Sequence, residues 1–61
     1  KNPKNFFFEY KMKRAEFFLS ETDYSIKDIA ELIGYSSANT FTIMFKKYTN
    51  ISPSDFRKQF S

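Results

Sequence analysis

Sixty-one residues make at most one domain, of a size at which folding alone is marginal and an enclosed active site has no room. Without cysteine or histidine the chain has no disulfide, no zinc finger built from those ligands, no thiol nucleophile and no imidazole acid-base pair, so nine Phe and four Tyr must supply the core. The net charge of +3 is unevenly spread: Lys1, Lys4, Lys11, Lys13 and Arg14 stand against Glu9 in residues 1–15, Glu16, Glu21, Asp23, Asp28 and Glu31 outnumber Lys27 in residues 16–35, and Lys46, Lys47, Arg57 and Lys58 outnumber Asp55 beyond them.

An acidic middle between basic flanks suits a polyanion-binding domain with one helix turned away from the phosphates, and equally a solvated mixed-charge surface. No apolar run approaches the roughly 18 residues that span a bilayer, and no signal-peptide h-region opens the chain, so a cytoplasmic protein without a membrane partner is expected. Asp23, Asp28 and Glu31 are not arranged as an acid and a base. No enzyme activity, metal or cofactor is expected.

Asn2 and Pro3 open the first predicted helix, Asn as N-cap and Pro in the first turn, where its missing N–H is harmless. The helix is expected over 3–20. Phe8, Met12, Ala15 and Leu19, with Phe18 beside them, form one apolar stripe, while Phe6, Tyr10 and Phe17 lie off it. Two apolar faces imply a helix that is unusually buried or packs on two bodies. Residues 21–24 form a polar connection. Ser25 then caps a second helix over 26–33, with Asp28 at the third position, Ile26, Ile29, Ala30 and Ile33 facing inward, and Lys27, Asp28 and Glu31 outward. Gly34, the only glycine, stands where a left-handed residue would end that helix.

Ser36 or Ser37 caps the third helix, expected to end near Tyr48. Phe41, Phe45 and Tyr48 share one face; Ser36, Asn39, Ile43 and Lys46 share the opposite one, with Thr42 at its edge. A helix, a tight glycine turn and a second helix make a helix-turn-helix, and the outward face suits base edges and phosphates. Lys46 and Lys47 fit phosphate contact and dipole complementation in a last helical turn equally. Asn50 can take the left-handed exit. Ser52, Pro53 and Asp55 start a short helix over 53–60, with Phe56 and Phe60 packing back on the core and Arg57 packing or pairing locally with Asp55.

Residues 2–6 and Tyr10 echo residues 52–56 and Phe60. If Phe56 and Phe60 close one helix-turn-helix unit, Phe6 and Tyr10 should close another that precedes residue 1. Within one copy of this chain Phe6, Phe7 and Tyr10 would then be exposed and would drive self-association.

KNPKNFFFEYKMKRAEFFL and SIKDIAELIGYSSANTFTIMFKKYTNISPSDFR resemble the DNA-binding domain of the AraC/XylS transcription regulators. The resemblance covers nearly the whole chain. Its specific signals are Ile29 with Ala30, Gly34 with Tyr35, Phe41, the run Phe45 to Lys47, Ser52 with Pro53, and Phe56 with Arg57. It implies an all-α fold: a long linker helix, a helix-turn-helix pair and a short closing helix around a homeodomain-like three-helical core. The chain would then be a single unit of a larger bacterial regulator, with the linker helix at 1–20, the helix-turn-helix at 25–48 and the closing helix at 53–60. The implied function is sequence-specific reading of double-stranded DNA, with recognition helix 37–48 in the major groove. The family's base-reading positions fall on Ala38, Asn39, Thr42 and Ile43, and its backbone contacts on Ser25, Ser37, Thr40 and Lys46, to which Ser36 and Lys47 are added as neighbours. The helical wheel sets Ala38 toward the core. The family often carries Arg where this chain has Ile43, and Gly where it has Asn50. Implied partners outside the chain are a first helix-turn-helix, an effector or receiver domain, and RNA polymerase. A reading of another class is a helical protein-interaction module using the aromatic surface.

Overall fold

Three serines start three of the helices, each by the same device. The computed structural model describes residues 3–60, with side chains from Phe7 to Phe60; Asn2 as a cap and the Phe6 ring lie outside the described residues. The order is α1 (Pro3–Glu21), α2 (Ile26–Leu32), α3 (Ala38–Thr49) and α4 (Pro53–Lys58). Ser25, Ser37 and Ser52 have extended backbones, and their hydroxyls accept the amides of Asp28, Thr40 and Asp55 at 3.0, 3.2 and 3.1 Å. Each bond satisfies an N–H that the first helical turn leaves without a partner.

The ends are equally local in origin. Gly34 has φ +99°, with the Tyr35 amide donating to Ala30 O at 2.8 Å and the Gly34 amide to Glu31 O at 3.2 Å. That pair of bonds is the Schellman closure, which requires a left-handed residue between them. A Cβ at Gly34 would meet only the Lys11 side chain, at 3.7 Å or beyond, so backbone conformation rather than space demands glycine. α3 ends on Asn50 at φ 72°, whose amide donates to Lys46 O at 2.7 Å.

Met12, Ala15 and Leu19 of α1 meet Ile29, Ala30 and Ile33 from the second helix and its C-cap, and Phe41 and Phe45 of α3, in a core where none exceeds 6% exposure. Burying each phenylalanine removes enough apolar surface to contribute about 1.5–3 kcal/mol. α1 packs on α2 and α4, and α3 packs on the same two helices. Phe8 and Tyr48 join α1 to α3 edge to face at 5.8 Å. A file of rings runs through Tyr35, Phe41, Phe45, Phe56 and Phe60 with centroids 5.0–5.9 Å apart. Among the described residues no polar side-chain atom is buried without a partner.

Three expectations need correction. α4 stops at Lys58 rather than Phe60, because Gln59 and Phe60 donate to Phe56 O and Arg57 O, tightening the last turn to three-residue spacing. Phe60 touches Phe56 but remains 57% exposed, so it lies over the edge of the core instead of closing it. Arg57 does not pair with Asp55. Its Nε donates to Leu19 O at 3.1 Å and its Nη2 reaches Thr22 O at 3.2 Å and Phe18 O at 3.4 Å, while Lys58 lies 4.0 Å from Asp55. α1 has no basic residue in its own last turn, so α4 supplies the cation that complements that helix end. The remaining helix bounds fall within one residue of those expected, and Ser37 rather than Ser36 is the cap of α3.

Candidate nucleic-acid interface

α3 is built so that one side is fixed and the other is left over. Phe41 and Phe45 have no exposed surface, and Met44 and Tyr48 pack partly against them. Their positions hold the helix's rotation, which turns Asn39, Thr40, Ile43, Lys46 and Lys47 to solvent. Ala38 and Thr42 are half-buried at the margin, as their angular positions require. Ser25, Ser36 and Ser37 are exposed at the starts of α2 and α3. All ten side chains expected at a DNA surface therefore reach solvent, at least in part.

Their hydrogen-bonding states differ. The Ser37 hydroxyl accepts from the Thr40 amide and donates to Thr40 Oγ1 at 3.1 Å, so the proton left to give outward is that of Thr40. Ser25 uses its oxygen for the cap and retains its proton. The Asn39 amide makes no hydrogen bond among the described residues. Lys46 and Lys47 sit in the last turn of α3 with no carboxylate within ion-pair distance among those residues. α3 itself contains no acidic residue, whereas Asp28 and Glu31 project from α2 beside Tyr24 and Leu32 around a shallow hollow. The acidic groups of the helix-turn-helix are thus confined to its first helix.

Two cations were not found by sequence reasoning. Lys11 Nζ sits 5.1 Å over the Tyr35 ring, beside the Gly34 turn, and Arg14 lies between the Tyr10 and Phe18 rings at 5.8 and 5.2 Å. Both Arg14 contacts, at four-residue spacing, had a local signal; the Lys11 contact runs from α1 to the turn between α2 and α3 and had none.

No described helix is long and apolar enough to cross a membrane. A family model described as a helix-turn-helix domain matches residues 1–59. The chain is 45% identical over 49 residues to the xylose operon regulatory protein of Haemophilus influenzae, covering 80% of this chain and 13% of that one. It is 36% identical over 58 residues to the transcriptional activator PerA of Escherichia coli, covering 95% and 21%. The crystal structure of a transcriptional regulator with an AraC-type DNA-binding domain from Chromobacterium violaceum superposes with TM-score 0.94 at 30% identity, over 100% of this chain and 55% of that one. A fold with two serine-capped helices about a glycine turn, and matches of this extent, place the chain in the AraC/XylS-type helix-turn-helix family of DNA-binding transcription regulator domains, which is not a class of enzyme.

Proposed function

We propose that α3 lies in the major groove of double-stranded DNA, with Ala38, Asn39, Thr42 and Ile43 turned to base edges and Ser25, Ser36, Ser37, Thr40, Lys46 and Lys47 to the sugar–phosphate backbone. One observation carries this reading. On a single helix, two phenylalanines with no exposed surface stand opposite an amide and two ammonium groups that have no partner in the described fold. One recognition helix gives few contacts, so binding by this chain is weak and dominated by phosphates.

A salt series of fluorescence anisotropy on a duplex tests it. With Lys46 and Lys47 as the phosphate cations, log K falls against log salt with a slope of about −2, and Lys46→Ala reduces that slope by about one. Retained binding with a flat salt response overturns the reading.

The chain spans a small part of its curated relatives, 13% and 21% in the two compared above. We read it as the linker helix, helix-turn-helix and closing helix of a larger cytoplasmic regulator. On α1, Phe7, Tyr10 and Phe17 are 62%, 55% and 56% exposed. A preceding helix-turn-helix unit of the parent chain is the occupant that suits this aromatic edge, with a signal-sensing domain and RNA polymerase as the more distant partners.

A further inference from the structure

Resting on that reading, we propose that α3 reads an A·T step through a thymine methyl group, with Ile43 as the residue that selects it and Asn39 selecting adenine beside it. The residue types on the helix support this by what they offer and by what they omit. α3, ANTFTIMFKKYT, contains no Arg, Asp or Glu. It therefore has no guanidinium to pair with the O6 and N7 edge of guanine and no carboxylate to accept from the cytosine amino group. Its cations, Lys46 and Lys47, occupy the last turn, whereas a recognition helix reads bases chiefly from its N-terminal part, which leaves the lysines to phosphates.

Asn39, in the first turn, is exposed, and its amide is free to donate and accept. That pair of groups matches the N6 donor and N7 acceptor of adenine. Ile43 follows one turn later and is 46% exposed on an otherwise polar face. The fold gains little from it there: a β-branched side chain is a poorer helix former than the straight-chain alternatives, and its apolar surface remains in water. In a major groove the same stiff branched group meets the thymine C5 methyl, the one apolar feature of the base edges. Side chains three or four positions apart on a helix lying in the major groove meet successive bases, so Asn39 and Ile43 reach neighbouring base pairs.

The test uses the 61-residue chain and a duplex pool with a randomised central window. Bound sequences are selected, and the best binder is resynthesised with deoxyuridine in place of thymidine, which removes the methyl groups and leaves the hydrogen-bonding edges intact. The selected sequences are expected to share an A·T step, and uracil to weaken binding about fourfold, the effect of one methyl-sized apolar contact. Because Ile43 is exposed, Ile43→Ala keeps the fold, and it abolishes the uracil penalty. Salt-dependent binding with no response to uracil, or a uracil penalty that survives in Ile43→Ala, overturns this inference and leaves the reading of the interface intact. Absence of any binding, with the circular dichroism spectrum still helical, overturns both.

Discussion

α1 and α3 are both rich in aromatic residues, yet they use them in opposite ways. On α3 the buried rings, Phe41 and Phe45, lie on one side, and the outward face is polar apart from Ile43. On α1 the stripe of Met12, Ala15 and Leu19 is buried while Phe7, Tyr10 and Phe17 are exposed on another side of the same helix. A helix with one apolar face completes itself inside the domain; a helix with two requires a second body to cover the other. The difference separates a surface suited to a hydrated, charged groove from one suited to protein.

The comparison is broken most severely at the shared core. Phe45→Ala removes a ring with no exposed surface and lowers stability by about 3–5 kcal/mol, a large fraction of the roughly 5–15 kcal/mol typical of domains; urea denaturation should show the midpoint displaced far toward zero denaturant. Arg57→Ala strips the carbonyls at the end of α1 of a charged donor and costs about 1–3 kcal/mol, with faster amide exchange confined first to residues 18–22. Asn39→Ala sharpens the contrast, because melting should be unchanged while discrimination between duplexes drops by about 1–3 kcal/mol in competition binding. Tyr10→Ser changes stability by less than about 1 kcal/mol, since the ring is exposed and meets Arg14 only across a surface contact. Sedimentation should show that it lowers self-association of the chain; identical, strictly monomeric behaviour of parent and variant counts against an unfilled docking edge on α1.

The smallest effect is a pH dependence at the turn between α2 and α3. Burial raises the Tyr35 phenol above its ordinary value of 10.0. The folded state then holds that proton more tightly than the unfolded chain does. Its contribution is fully present below about pH 10 and is lost as pH rises through the folded value. Chemical denaturation across the alkaline range should show a small decline that Tyr35→Phe removes.

What could be read in advance was what the chain decides over four or five residues. Ser25, Ser37 and Ser52 cap because a hydroxyl reaches an amide three residues on, and Gly34 and Asn50 stop helices because few residues take positive φ. The periodicity that pairs Phe41 with Phe45 also fixed which side chains of α3 would be exposed. Contacts between residues far apart in sequence carried no such signal. Arg57 reaches carbonyls 35–39 residues away, and Phe60 remains exposed because α4 tightens before its ring can turn inward. The base contacts proposed for Asn39 and Ile43 depend on a second molecule and lie beyond local rules.

The guanidinium of Arg57 has a mechanical consequence. By clamping the last carbonyls of α1 to α4, it holds the end of that 19-residue helix against fraying. Toward the other end of the same helix Phe8 meets Tyr48 edge to face, so α1 is tied to α4 at one end and to α3 near the other. The tilts of α1 and α3 are therefore set together, by one packing arrangement.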